Sequence, residues 1–130
     1  MAGAPAPSIA NIGQIGIRVR DAQRATAFYR DVLGLKFLFA APPGLAFFDC
    51  GGVRLMLSLA EAGEFDHPSS ILYFRVADIQ AAHAHLVAKG AAIVQPPHLL
   101  APMPDHDLWM CFFRDGEDNV LALMSEVPRK

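Results

Sequence analysis

The sequence has little charge and no excess of either sign. Charged residues make up 18% of its 130 residues, and the formal net charge is -2. Binding to nucleic acid requires a basic surface that neutralises phosphates, so this composition argues against a nucleic-acid partner. The sequence also lacks any run near the roughly 18 apolar residues that a membrane-spanning helix needs, so we expect no membrane association.

Cysteine is scarce, and the familiar short motifs are missing. Cys50 and Cys111 form no CxxC pair, which predicts two reduced structural thiols and a cytoplasmic protein. No phosphate-binding glycine motif occurs, and the serines lie outside any nucleophile-elbow context. The Ala- and Pro-rich residues 1–10 lack the basic and apolar regions of a secretory signal, so we expect a flexible N-terminal arm.

The sequence does contain an internal repeat within a strongly hydrophobic chain. Hydrophobic residues make up 53% of the chain, enough for the core of one domain. The segments Ile15–Asp21 and Leu72–Asp78 both alternate apolar residues and then end at an aspartate that can cap a following helix. Glycines at positions 34 and 90 end the two predicted helices.

Three further strand-like runs follow each predicted helix. The repeated unit is therefore β-α-β-β-β, and we predict an α+β fold of two βαβββ modules whose curved mixed sheet surrounds a central cavity. We expect one domain over residues 11–126, with module one at about 11–60 and module two at about 70–126. A Pro-rich segment, Pro96–His106, is predicted to be a long functional loop.

Two segments resemble the vicinal oxygen chelate superfamily, the glyoxalase, bleomycin-resistance and extradiol dioxygenase fold. Residues Ala27–Leu35 look like that family's first helix and its exit. Residues Phe112–Asn119 look like its turn into the last strand, where an Asp-Pro-x-Gly-Asn form is common and Gly116 and Asp118 depart from it. The resemblance covers about Ile12 to Met124 and implies a homodimer that binds a small molecule.

The resemblance also predicts where a metal would bind. In the family's metalloenzymes four strand residues hold one divalent cation, and an open coordination position accepts substrate oxygens. The matching positions here are Gln14, Met56, Ile71 and Ala122. Only Gln14 offers a suitable oxygen, and it could instead hydrogen-bond a neighbouring strand, so we predict neither metal nor other cofactor.

Strand alternation predicts which side chains line the cavity. Its lining is expected to be apolar with arginines near the rim, which suits a small, largely apolar or aromatic anion. Alternatively, the arginines could pair with neighbouring carboxylates and Met56 could simply fill a gap. The cavity residues predicted in this way are Gln14, Arg18, Arg54, Met56, Ile71, Tyr73, Arg75 and Ala122. Trp109 is added as a stacking surface, on the expectation that the Pro-rich loop before it closes over the cavity.

His106 is the predicted catalytic candidate. It lies between Asp105 and Asp107, and an adjacent acid can orient an imidazole for proton transfer. The alternative is a surface turn in which the acids bond the backbone. A relocated metal site on His98, His106 and Asp107 is a further possibility.

Three hypotheses about function remain open. The first is a metal-independent binder of the bleomycin-resistance type. The second is an enzyme of the same superfamily, lyase-, isomerase- or dioxygenase-like, that uses His106 or a relocated metal. The third is a scaffold whose cavity is filled, and the size of an open pocket distinguishes it from the other two.

Overall fold

A computed structural model describes residues 7–59, 63 and 66–129. The N-terminal part of the expected arm and part of the segment between the modules lie outside these residues. The described chain forms eight strands and two α-helices, the first of which continues into a π-helical turn. The elements are β1 (Gln14–Val19), α1 (Ala22–Ala27), the π-turn (Phe28–Val32), β2 (Lys36–Ala41), β3 (Leu45–Cys50), β4 (Val53–Leu59), β5 (Leu72–Arg75), α2 (Ile79–Ala88), β6 (Ala92–Pro102), β7 (His106–Arg114) and β8 (Val120–Pro128).

The strands form two four-stranded mixed sheets, one for each repeat. Sheet A has the order β1-β4-β3-β2, and sheet B has the equivalent order β5-β8-β7-β6. In each sheet the first strand pairs parallel with the last, and the other pairings are antiparallel. The predicted α+β fold of two βαβββ modules is confirmed, and the sheets do not close into a barrel.

Both helices begin where the sequence predicts. The carboxylates of Asp21 and Asp78 each accept a hydrogen bond of 3.0 Å from the backbone three residues later, at Arg24 and Ala81. These bonds satisfy N–H groups that have no partner within the helix. The first helix differs from a regular α-helix because its second half, Phe28–Val32, has π-helical hydrogen bonding.

The prediction of a long loop at Pro96–His106 was wrong, because most of that segment belongs to a strand. Strand β6 runs through Pro102, and only Met103–Asp105 turns into β7. Its pairing with β7 shifts register three times. Because β6 is an edge strand, its prolines need to supply no N–H group to a neighbour on the open side.

The hydrophobic core lies between the modules. It contains helix-facing residues of both sheets, including Ile17 and Leu55 from sheet A and Phe113 and Leu121 from sheet B. The ring of Phe28, in module one, lies 6.4 Å from the ring of Phe113. We call the helix-facing side of each sheet its inner face and the opposite side its outer face; both outer faces therefore point away from the shared core.

The turn between β7 and β8 joins the modules through buried polar groups, and we call it the seam turn (Asp115–Asn119). Asp115 accepts a 2.7 Å hydrogen bond from the Tyr29 hydroxyl. Glu117 accepts bonds from the backbone of Arg20 and Asp21 at 3.1 and 3.2 Å. In the described residues no buried side-chain nitrogen or oxygen lacks a hydrogen-bond partner.

The seam turn contains Asp118, which departs from the family pattern because it stands where that pattern has glycine. Asp118 has a φ of 67°, the left-handed conformation for which that pattern supplies glycine. Its exposed carboxylate lies 2.7 Å from Arg20. Aspartate tolerates this conformation better than most residues, so the turn keeps its shape.

Candidate ligand-binding faces

The outer face of sheet A carries a row of polar and soft groups on β1 and β4. Parallel pairing brings Gly16 beside Met56, and the Gln14 amide nitrogen lies 3.5 Å from the Met56 sulfur. Gln14 and Arg54 are exposed, whereas Met56 is half-buried. Gln14 thus contacts a neighbouring strand, which is the alternative that the sequence left open.

The side chains at the four family metal positions do not fit a divalent cation. Gln14 is the one hard-oxygen donor, Met56 offers a thioether, and Ile71 and Ala122 offer no donor. The first two lie on sheet A, whereas Ala122 lies on sheet B and Ile71 directly precedes β5. Among the described residues, no group of three or more His, Cys, Asp or Glu side chains could hold a metal, near His98 and His106 or elsewhere.

The outer face of sheet B is aromatic. Tyr73 pairs with Ala122 in the parallel ladder, and Ala122 faces Phe112 across the next ladder. The rings of Tyr73 and Phe112 meet edge to face at 6.0 Å, and the His98 ring stacks on Phe112 at 6.4 Å. Tyr73 is 49% exposed and Ile71 is 44% exposed, so this aromatic surface is open in the single chain.

Two of the three predicted cavity arginines have carboxylate partners. Arg18 lies 2.7 Å from Asp66, and Arg75 lies 3.0 Å from Glu126. Arg54 has no carboxylate within salt-bridge distance among the described residues, and its guanidinium carbon lies 5.7 Å above the Phe47 ring. The carboxylate-paired alternative therefore describes Arg18 and Arg75 but not Arg54.

His106 lies between two carboxylates at the end of the outer face of sheet B. Its Nδ1 is 2.7 Å from Asp105, and its Nε2 is 3.5 Å from Glu126. The hydrogen bond from His106 holds the pKa of the Asp105 carboxyl below its usual range. Asp107 does not contribute, because it pairs with Arg129 at 3.0 Å. Glu126 thus links His106 to Arg75 in a short polar chain.

Trp109 lies apart from the other predicted cavity residues. It belongs to β7 and packs against the shared core, as do Cys111 and Phe113. Successive side chains on a strand alternate between faces, so Met110 and Phe112 occupy the outer face and Trp109 the inner one. Trp109 therefore cannot form a stacking surface with Tyr73 and Ala122.

A cleft of about 300 Å³ opens between the modules, beside β5. Tyr73 and Arg75 line it together with Leu33, Leu35 and Cys50. Burial, with a smaller effect of Asp49, raises the pKa of the Cys50 thiol. A protonated thiol is a weak nucleophile, so this cysteine acts as an apolar wall. A separate recess of about 520 Å³ lies between α1 and the β2–β3 turn, away from both outer faces.

The predicted site residues therefore form two sets. One set is on sheet A, with Gln14, Arg54 and Met56; the other is on sheet B, with Tyr73 and Ala122. The shared core separates them, so one copy of the chain does not bring them around a common space.

The sequence analysis missed several aromatic residues that complete the outer faces. Phe39 and Phe47 stack on sheet A at 4.5 Å, and Phe112 lies at the centre of the sheet B surface. Alternation along β7 could have identified Phe112, because it shares a face with Met110. Phe39 could not have been assigned, because β2 shifts register between Phe37 and Phe39.

Comparison with known proteins agrees with this fold. The sequence model of the Glyoxalase/Bleomycin resistance protein/Dioxygenase superfamily matches residues 11–123. The chain belongs to this superfamily. No curated protein matches the chain.

Several solved structures have the same fold at low sequence identity. A superfamily member from Sphaerobacter thermophilus is 23% identical with a TM-score of 0.74, over 91% of this chain and 98% of that one. TnmS3, an antibiotic binding protein from a Streptomyces species, is 23% identical with a TM-score of 0.70, over 92% and 98%. A lactoylglutathione lyase from Agrobacterium tumefaciens is 23% identical with a TM-score of 0.69, over 92% and 95%.

Neither helix of the described chain meets the length and apolarity that crossing a bilayer demands.

Proposed function

We propose that this protein binds a small, largely apolar or aromatic anion, without a metal, between the outer faces of two copies of the chain. The observation that carries the proposal is the pair of open faces. One presents Met56, Phe39 and Arg54, a cation with no carboxylate partner among the described residues, and the other presents Tyr73 beside Phe112. Exposed aromatic surface of this kind typically marks an interaction site.

A second copy supplies what one chain lacks. Since the two outer faces of a chain point away from each other, sheet A of one copy must face sheet B of another to enclose a ligand. Such a pairing repeats by two-fold symmetry, so a homodimer would contain two equivalent sites. The antibiotic-binding neighbour supports a binding role for this fold. The scarce, unpaired cysteines support a cytoplasmic location.

The proposal is tested by combining a measurement of mass with a measurement of binding. Sedimentation equilibrium of the full chain should give a dimer, and isothermal titration with 2-naphthoate should give one site per chain. Tyr73→Ala should weaken binding about fivefold, because it removes an exposed aromatic contact worth about 1 kcal/mol. Val87→Ala is the matched control, since Val87 is equally exposed on α2. A monomer that binds no aromatic probe would contradict the proposal.

The polar contacts of His106 with Asp105 and Glu126 support a second candidate function. In it the protein is an enzyme of the same superfamily, and His106 acts as an acid or base. An imidazole oriented by one carboxylate and reached by another suits proton transfer. In that case His106→Asn would abolish turnover of a bound substrate while leaving its affinity within about threefold. If the wild-type protein releases its bound ligands chemically unchanged, the result supports the binding function and contradicts the enzymatic one. A third outcome, a folded dimer with no accessible site, would favour the scaffold.

A further inference from the structure

Two phenylalanines and an arginine form a continuous surface on the outer face of sheet A, which we call the phenyl shelf (Phe39, Phe47 and Arg54). The rings of Phe39 and Phe47 stack at 4.5 Å with 27° between their planes. Phe47 is 8% exposed, whereas Phe39 is 46% exposed. The buried ring therefore fixes the position of the exposed one, which presents an open aromatic surface.

Arg54 ends the shelf with a positive charge that no carboxylate of the described residues pairs with. Its guanidinium lies 5.7 Å from the centre of the Phe47 ring, on β4 next to β3. Asp49 is its cross-strand neighbour, yet no carboxylate comes within 4.0 Å of Arg54 among the described residues. Arg18 and Arg75, the other arginines assigned to the site, are both paired with carboxylates.

The contrast among these arginines separates their roles. An arginine stacked on an aromatic ring keeps its planar N–H groups available for two parallel hydrogen bonds to an acid. A paired arginine has its charge offset by its own carboxylate partner and attracts a further anion less strongly. Arg54 is therefore the group that can accept an external anion at the lowest cost.

We propose that the phenyl shelf is the subsite for a planar aromatic acid, with the arene stacked on Phe39 and its carboxylate or sulfonate bound by Arg54. This inference rests on the proposed function and deepens it, because it names the ligand class and assigns charge recognition to one residue. Phe47 lies between the two groups, with its ring 4.5 Å from that of Phe39 and 5.7 Å from the Arg54 guanidinium carbon, so an arene that carries its acid directly can cover Phe39 and extend towards Arg54. An aliphatic acid would leave the Phe39 ring uncovered.

The test uses two isosteric probes, 2-naphthoate and 2-naphthamide, titrated into the full chain at pH 7. The wild type should bind the acid at least tenfold more tightly than the amide. Arg54→Met keeps an apolar stem over Phe47 and should remove that preference by weakening the acid alone. Arg30→Met is the control, and it should preserve the preference because Arg30 pairs with Asp31 on the π-turn and does not lie on an outer face.

A further variant separates the arene from the charge. Phe39→Leu is an exposed substitution and should weaken both probes by a similar factor of about five to ten, leaving their ratio unchanged. Equal affinities of the two probes for the wild type, or a preference that persists in Arg54→Met, would overturn the phenyl shelf and leave the proposed binding function standing. If neither probe binds, both proposals fail.

Discussion

The seam turn and the outer faces differ in burial and in hydrogen bonding: the seam turn buries paired polar groups, whereas the outer faces expose aromatic rings and a cation. At the seam turn Asp115 is 2% exposed and Glu117 is 5% exposed, and both accept hydrogen bonds from the other module. On the outer faces Tyr73 and Phe39 are about half exposed, and Arg54 has no carboxylate partner among the described residues. The chain thus satisfies the groups that hold its modules together and leaves open the groups that can bind another molecule.

This difference follows from the energetics of burial. A carboxylate taken out of water is stable only when hydrogen bonds replace its hydration, so the seam turn requires a complete set of donors. An exposed aromatic ring carries no such requirement and gains free energy when another molecule covers it. Substitutions at the seam turn should therefore change stability, whereas substitutions on the outer faces should change binding.

The largest effect is expected for Asp115→Ala. The substitution leaves the Tyr29 hydroxyl and the amide groups of Glu117 and Asn119 without their acceptor, at about 3 kcal/mol or more of unfolding free energy. Urea denaturation would measure the loss. Asp31→Ala, at an exposed ion pair, is the control and should change stability little. Equal stability of the two variants would contradict a structural role for the seam turn.

The next effect concerns Tyr29 and alkaline pH. Burial, reinforced by the Asp115 carboxylate, raises the pKa of Tyr29 far above its ordinary value of 10.0. Because the folded state keeps this proton and the unfolded state releases it, the stabilisation is complete below pH 10 and is lost progressively above it. The free energy of unfolding should fall by up to about 1.4 kcal/mol per pH unit from this group.

Tyr29→Phe isolates that contribution. The variant should be about 1 to 2 kcal/mol less stable than the wild type at pH 7, because Asp115 loses one donor. Above pH 10 the stability difference should shrink as the wild type approaches the variant. Parallel stability curves from pH 8 to pH 12 would show that Tyr29 is not the titrating group.

The smallest effect on folding is expected for Tyr73→Ala. Since Tyr73 is 49% exposed, its removal should change the free energy of unfolding of the monomer by about 0.5 kcal/mol or less. The same variant should lose affinity for an aromatic probe and shift the dimer towards monomer in sedimentation. A loss of unfolding free energy near that of Asp115→Ala would contradict the division between a seam turn that stabilises the fold and outer faces that bind another molecule.

Much of the fold was predictable because its signals are local. Alternating apolar residues and the capping aspartates at positions 21 and 78 depend on neighbours in the sequence, and the repeat shows that both modules carry these same signals. The second half of β6, from Pro96 to Pro102, was predicted as a loop because its prolines are tolerated only at a sheet edge, which depends on where the strand lies in the sheet.

The candidate site was predictable only in part, for a similar reason. Alternation correctly assigns Gln14, Arg54 and Tyr73 to faces opposite the helices, since the helix-facing residues form the core. Trp109 was predicted to line the cavity but packs against the core, because alternation along β7 places it on the same face as Cys111 and Phe113. Packing between the modules brings the two inner faces together around the core and turns the two outer faces apart, and no local sequence pattern encodes this arrangement.

The most direct test of metal-free binding is a titration of 2-naphthoate into the full chain, first with a chelator present and then after reloading with zinc or manganese. We expect one site per chain with the same affinity under both conditions, because Met56, Ile71 and Ala122 offer a divalent cation no suitable donor. Binding that appears only after reloading, with one metal ion retained per chain, would contradict this expectation and make a metalloenzyme the better description.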